Sequence, residues 1–435
     1  MKIKSWMLVL ASALALLGSG FSAAASTTRI QFWTMQLSPF HDDYVNGLIA
    51  EFERLHPEVQ VKWVDVPWKE MEKKMLASVA AGTAPDVVNL NPQFAAKLAE
   101  FGALANPERY LSRQQVDAYL PNIWNANRFE GEAFAIPWYL STTVTIYNRA
   151  LLERAGVSVP ASFSELLSTS KVLRQKLDKY AYFPAMDGSR PLENLAATGV
   201  ELVAEDGSVG FDNERGLAFF RFNRDMYQQG LIPKNVLTEG HHKAVDLFQS
   251  GQVALITTGM QFLQTIRTNA PELFANVEVA PQLKHPQSKN NVAVMNLAVP
   301  VMSAHKSAAF DFATFVTNHE NQMALARRIP LLPSTAVSYQ DPFFSLPENP
   351  SVVDRARAIS AQQVLSGDVL VPPLPKYSKL KTSFVFNLQS AMVGELTAEQ
   401  ALARTSDTWA LFLQASKRKA RAEQEREGRS RGVVD

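Results

Sequence analysis

Between Arg29 and Leu90 the chain alternates two hydrophobic periods, and this alternation restricts the fold more than any other feature. Arg29 to Trp33 reads as a strand. Ser38 and Pro39 suit a helix N-cap and first turn. Val45, Leu48, Ile49, Phe52 and Leu55 then recur at helical spacing, giving one apolar face. His56-Pro57 stops that helix. Val59, Val61 and Trp63 alternate with Gln60 and Lys62 as a second strand. Trp68 to Ala81 is helical again, with Met71, Met75 and Val79 on one side, Gly82 as its cap and Pro85 to Leu90 as a third strand. Strand, helix, strand, helix, strand describes a parallel sheet wrapped by helices, hence an α/β fold.

Open sheets of this kind bind ligands beyond the carboxyl ends of their strands. Here those ends lead into Thr34-Met35-Gln36, Pro67-Trp68 and Asn91-Pro92-Gln93. Aromatic rings can stack on the apolar faces of sugars, and amides offer both donors and acceptors to hydroxyls. There is no Gly-rich phosphate loop, so a nucleotide is not expected. Trp63, inside an alternating strand, is expected in the core. Trp33 and Trp68, at strand ends, are expected at the site.

The N-terminus carries an export signal. Lys2 and Lys4 precede an apolar run from Trp6 to Leu17, and Ala23-Ala24-Ala25 supplies an A-x-A end. That run is shorter than the roughly 20 residues a membrane helix needs. Residues 1–25 are therefore read as a signal peptide cleaved near Ala25. The chain has no cysteine, which removes disulfides, thiolate metal sites and an N-terminal lipid anchor on cysteine. An unanchored exported protein suits a periplasm. With 435 residues the chain should hold at least two domains, and a net charge of +1 argues against nucleic-acid binding.

Further along, a series of segments resembles the extracellular solute-binding proteins of the sugar class, the receptors of ABC transporters that include maltose- and glycerol-3-phosphate-binding proteins. They are Ala81-Gly82-Thr83-Ala84-Pro85-Asp86-Val87; Phe129 to Pro137; Tyr147-Asn148 with Leu151, Gly156, Pro160 and Glu165-Leu166; Phe248, Gly251 and Ala254; and Gly394 to Leu402. Each is weak alone, but their order and spacing are specific, and the resemblance runs from Ile30 to about Trp409. Phe163 and Leu255 depart from the family's usual Trp and Met by apolar exchanges.

The resemblance implies a two-lobed periplasmic binding protein fold with a hinge of crossing strands and a ligand cleft between the lobes. Crossings are expected near Pro137 to Leu140, near Val294 to Ala298 and in the Pro333 to Phe344 region. Residues 26–137 plus 298–335 would form the N-terminal lobe, 138–297 plus 336–415 the C-terminal lobe, and 416–435 a charged flexible tail.

By the same resemblance the first-lobe wall should use Trp33, Gln36, Asn89, Asn91 and Gln93. The hinge should contribute Trp138 and Tyr139, with Ser141 and Thr142 just beyond. Because neighbours on a strand point to opposite faces, one of Trp138 and Tyr139 should be core and the other should face the cleft. Met260, Gln261 and Phe262 stand where the family places second-lobe contacts. Asn296 could be a ligand contact or a buried amide bonded to backbone, and Tyr377 matches an aromatic near the cleft.

No enzyme signature is present: no H-E-x-x-H, G-x-S-x-G or P-loop. His241-His242 reads as a solvated cap in preference to a metal site. Glu130 and Glu132 are expected to be solvated, since sequence neighbours seldom supply opposed glycosidase carboxylates. The leading expectation is a monomeric, non-enzymatic receptor that takes no cofactor, captures a sugar or polyol and hands it to inner-membrane ABC importer permease subunits. An anionic ligand such as glycerol-3-phosphate is the alternative within the fold, and Arg190 or Lys376 could supply its cation. A periplasmic carbohydrate-active enzyme is the alternative from another class.

Overall fold

The computed structural model describes residues 27–431, so the expected signal peptide, residues 1–25, lies outside the described residues. The chain opens with β1 (Thr28–Met35), α1 (Asp42–Leu55), β2 (Val59–Val66), α2 (Trp68–Ala81), β3 (Val87–Leu90) and α3 (Pro92–Glu100). β1 lies between β2 and β3 and is parallel to both, with Thr28 opposite Val59 and Trp33 opposite Val88. Gly82 ends α2 in the left-handed region at φ +69°, where a side chain would be strained.

The start of α1 differs from expectation. Ser38 and Pro39 do not cap it; helix begins at Asp42, with Asp42 and Asp43 in its first turn. The cause is Asp65 near the end of β2. Its carboxylate accepts from Thr34 Oγ1 at 2.6 Å, from the Leu37 amide at 3.0 Å and from the Ser38 amide at 3.3 Å. That draws residues 34–38 into a turn over the strand ends and delays the helix.

The strand that organises the rest is β4 (Ile136–Asn148), 13 residues long. Its first half pairs with β7 (Val292–Ala298) and with β8 (Leu332–Pro333). Its second half pairs with β5 (Leu255–Gly259) and β6 (Val277–Ala280), all antiparallel. β7 in turn pairs antiparallel with β3. One continuous strand therefore belongs to both lobes, β7 runs beside it, and β8 leads through Ser334 into short helical turns at Ala336–Gln340 and Pro342–Phe344. The segments expected near Pro137 to Leu140 and Val294 to Ala298 fall on these paired strands, and Pro333 ends β8.

The first lobe's sheet is packed on both faces. Phe32, Phe52 and Phe312 fill one side, with ring centroids 5.0–5.1 Å apart. Met71, Met75, Phe94 and Leu98 fill the other. In the second lobe a larger core gathers β5, β6 and the helices α4 (Arg190–Ala196), α5 (Glu214–Gln228), α6 (His241–Gln249), α7 (Phe262–Asn269), α8 (Val352–Leu365), α9 (Tyr377–Val393) and α10 (Ala398–Arg431). Trp409 anchors α10 there: it is fully buried, meets Phe211 edge-on at 4.9 Å, and donates from Nε1 to the Leu380 carbonyl at 3.0 Å. The charged tail expected from residue 416 continues α10 as helical backbone to Arg431.

Candidate functional site

Two cavities lie along the cleft, with Gly188 and Ser189 in the linings of both. The outer one, about 620 Å³, is walled by Asn91, Gln93, Lys97 and Phe101 of α3 and its exit, and on the opposite lobe by Ser189, Leu374 and Tyr377. Across it the Lys376 amide, at the N-terminus of α9, lies 3.4 Å from Glu100 Oε2 at the end of α3. Lys376 holds φ +54° there. The inner cavity, about 250 Å³, adjoins the hinge and shares Gly188 and Ser189 with the outer one. Its lining comes from the second lobe and the hinge strands: Ser141, Thr142 and Thr143 of β4, Asn291 and Ala293 beside or on β7, Thr258 and Gly259 of β5, Gln261 and Phe262 at the start of α7, and Asp187, Arg190, Glu193 and His241.

A buried amide network holds the floor of the inner cavity. Gln282 Nε2 donates to Thr142 Oγ1 at 2.9 Å, and Gln363 Nε2 donates to the Thr143 carbonyl at 2.9 Å. The Gln282 amide N–H donates to Gln363 Oε1 at 2.8 Å, and the Asn291 amide N–H donates to Gln282 Oε1 at 3.0 Å. Both glutamines are nearly inaccessible. Buried amides satisfied in this way fix a backbone in one geometry.

The walls carry two polar pairs, Asp187 with His241 and Arg190 with Glu193. Asp187 bonds His241 through Nδ1 and also accepts from the His241 backbone amide at 3.1 Å. The His241 hydrogen bond holds the Asp187 carboxyl below its usual range, against the effect of partial burial. Glu193 accepts from Ser189 Oγ and lies 3.8 Å from the Arg190 guanidinium. Gly240 is required where the first pair forms, because a Cβ there would stand 2.6 Å from Asp187 Oδ2. The cavity thus presents hydroxyls, amides and compensated charges beside one aromatic ring, Phe262.

The structure brings together part of the set expected from sequence. Asn91, Gln93 and Tyr377 line the outer cavity, and Ser141, Thr142, Gln261 and Phe262 the inner one. Asn91 commits its Oδ1 to capping α3, accepting from Phe94 N at 2.8 Å. Gln36 and Trp68 are exposed beyond the ends of β1 and β2, outside the lining of either cavity.

Six expected residues are core instead. Trp33 is 5% exposed among the residues between β1 and α2, with Lys74 4.4 Å above its ring. Trp138 and Tyr139 are both buried. The expectation that one of them faces the cleft fails because β4 is flanked by strands and covered on both faces here, with a register break between Pro137 and Tyr139. Burial pushes the Tyr139 phenol well above its usual pKa. Asn89 donates to the Asn296 carbonyl at 3.1 Å and ties β3 to β7, and Asn296, of its two expected roles, takes that of a buried amide, its side chain accepting from Asn127 at 2.7 Å. Met260 packs into the second-lobe core. Trp63 is half-buried and donates from Nε1 to Thr34 at 2.7 Å.

His241, expected as a solvated cap, is instead half of the Asp187 pair, and no group of three or more metal-ligating side chains exists among the described residues. Glu130 and Glu132 are exposed, as expected. Asp187, Ser189 and Glu193 escaped the sequence reading. The turn-forming Asp187-Gly188-Ser189 before a helix was their only local signal. Phe101 and Phe129 of the outer cavity were also missed.

Residues 41–323 match the model of the bacterial extracellular solute-binding protein family. A crystal structure of a candidate oligosaccharide periplasmic-binding protein from Synechococcus sp. MITs9220 superposes with a TM-score of 0.82 at 35% identity, covering 89% of this chain and 99% of that one. The galactooligosaccharide-binding protein of Bacillus subtilis is 22% identical over 376 residues, 84% of this chain and 85% of its own length. The mannitol-binding protein of Pseudomonas aeruginosa is 22% identical over 386 residues, 82% of this chain and 87% of its own.

Proposed function

The chain belongs to the bacterial extracellular solute-binding protein family, and from that premise we propose that it is an exported receptor that captures a sugar between its lobes and delivers it to an ABC importer. The observation that carries this reading is the inner cavity. Its hydroxyls and amides match the donors and acceptors of a polyol, and Phe262 offers a ring face. The charges there are paired: Arg190 faces Glu193 and His241 faces Asp187. An anion would meet the Asp187 and Glu193 carboxylates and would have to displace Glu193 to reach Arg190, so the inner cavity favours a neutral solute. Lys379 and Lys381 on the outer cavity keep an anionic polyol such as glycerol-3-phosphate as the second reading.

The receptor works as a monomer in the periplasm, its signal peptide removed near Ala25, and returns its solute unchanged. A thermal-shift screen of mono-, di- and oligosaccharides, polyols and glycerol phosphates tests the reading. A solute that binds only the native state raises the melting temperature. A shift by neutral sugars supports the proposal, and a shift confined to glycerol phosphates replaces it with the second reading. Chromatography of oligosaccharides after long incubation should return them intact; cleavage would make the protein an enzyme.

A further inference from the structure

A further cavity lies on the first lobe, beside the Thr335 to Val337 segment that leaves it, and shares no residue with either cleft cavity. It is a groove of about 400 Å³ whose lining includes His56, Tyr119, Asp311, Thr314, Phe315 and Val337. That volume falls within the roughly 300–1,000 Å³ of sites that take small molecules. The rings along it are held by the core. Phe315 and His56 both pack on the fully buried Phe52, with centroids 5.4 and 4.4 Å from it. Tyr119 is fixed as well, its hydroxyl bonded to Thr317 Oγ1 at 2.6 Å. Asp311 and Phe315 stand four residues apart on the helix Lys306–Val316, which makes them neighbours on one face of it.

The groove is one-sided in charge. No Lys or Arg lines it. α1 ends at His56 and the helix Lys306–Val316 ends at Thr317, so two helix carboxyl ends, each with a partial negative charge, stand at its rim. The helix His319–Ala326 starts there too, but Asn318 Oδ1 already accepts from the Asn321 amide at 2.8 Å. Both histidines of the lining are engaged: His56 lies 3.6 Å from Glu58, and His319 Nδ1 bonds Ser338 Oγ at 2.9 Å. The exposed Asp311 carboxylate, by contrast, has no hydrogen bond or ion pair among the described residues. We propose that this groove is a second binding site, separate from the cleft, for a small organic cation: an ammonium bearing methyl or other short apolar groups. Its nitrogen sits between Asp311 and the Phe315 ring, where carboxylate and ring quadrupole both attract it. Its apolar groups cover Val337, and the Gln115 and Asn318 amides can bond a hydroxyl that it carries. An anion would meet only negative charge here, and a neutral molecule would leave Asp311 unused.

The probes are choline, tetramethylammonium and 3,3-dimethylbutan-1-ol, which has the shape of choline without its charge, each titrated by calorimetry into the mature protein. Choline should bind roughly tenfold more tightly than the neutral alcohol, the combined effect of an exposed cation–π contact and a surface ion pair. Asp311→Asn should shrink that advantage and leave the melting temperature of the free protein unchanged, because the carboxylate has no partner to lose. Ala118→Trp fills the groove from an exposed lining position and should weaken both ammonium probes by roughly tenfold or more. Equal affinity for choline and the alcohol would overturn the selection of a cation. Unchanged choline affinity in folded Asp311→Asn and Ala118→Trp proteins would place the bound cation elsewhere and overturn the site. Failure of both ammonium probes to bind at about 10 mM, where a Kd of about 1 mM gives about nine-tenths occupancy, would overturn it as well. Each of these results leaves the receptor reading of the cleft untouched.

Discussion

Replacing Phe262 by alanine is the most direct test of the second-lobe wall. Its ring is half-buried at the start of α7, with the His241 and His242 rings edge-on at 6.0 and 6.1 Å. A sugar ring laid against its remaining exposed surface would remove on the order of 60 Å² of apolar area from water. At about 25 cal/mol per Å² that is about 1.5 kcal/mol, or roughly tenfold in affinity. If the ring becomes fully enclosed the loss approaches about 3 kcal/mol, on the order of a hundredfold. Because the ring already stands partly in solvent, its removal should cost the free protein little stability. Calorimetric titration of the sugar identified by the thermal-shift screen, beside urea unfolding of the free protein, measures both quantities. An affinity within twofold of the parent in a stably folded variant would show that the solute does not touch this wall.

Three further outcomes follow from burial, charge and the N-terminal sequence. Trp138→Ala should lower unfolding free energy by about 3–5 kcal/mol, because the ring is 1% exposed between Phe32 and Tyr139; a loss below about 1 kcal/mol in urea would contradict its place in the core. The Asp187 carboxyl is held below its usual range by His241, so the stability it contributes is present above its unfolded value of about 3.9 and is lost as pH falls through the lower folded value. Urea midpoints between pH 6 and pH 3 should therefore fall more steeply in the parent than in Asp187→Asn, and parallel curves would refute the pairing. Mass spectrometry of protein exported by its native host should find an N-terminus near Ser26; an uncleaved, membrane-bound chain would refute the export reading.

What the sequence made legible was set by how local the determining interactions are. The β1 to β3 alternation survives in the fold because each strand and helix carries its own apolar face. The start of α1 did not, because Asp65, 27 residues after Ser38, decides where that helix begins. Trp138 and Tyr139 misled because alternation separates neighbours into inside and outside only where one face of a sheet is open, and β4 is covered on both. Asn89 looks like a ligand amide in sequence, but it bonds the Asn296 carbonyl across the β3–β7 seam, a contact between residues 207 positions apart. The Asp187–His241 pair spans 54 residues, and neither partner stands in a motif. Gln261 and Phe262 came from the family resemblance, and they line the inner cavity because they follow the end of β5 at the start of α7.

Closure of the lobes can be argued from which wall each contact belongs to. A solute shifts a conformational equilibrium only through contacts that differ between the two states. The inner cavity is lined by second-lobe and hinge residues alone, so Asp187, Arg190, Gln261 and Phe262 can hold a sugar equally well whether or not the first lobe has approached. They set affinity and contribute little to the closing force. That force must come from the first lobe, where Phe101 is 65% exposed and, with Phe129 and Gln93, lines the outer cavity. Driving a receptor from 1:99 to 99:1 closed takes about 5.5 kcal/mol of differential binding, and covering one large aromatic supplies roughly 1.5–3 kcal/mol. Two such rings and a few amide contacts are therefore sufficient, and the loss of one ring should be visible. Small-angle scattering at saturating sugar should give the parent's reduced radius of gyration for Gln261→Ala, once enough ligand is added to offset its weaker binding. Phe101→Ala should stay measurably larger at equal saturation. If the two variants close alike, the first-lobe aromatics do not drive closure and the hinge itself must favour the closed form.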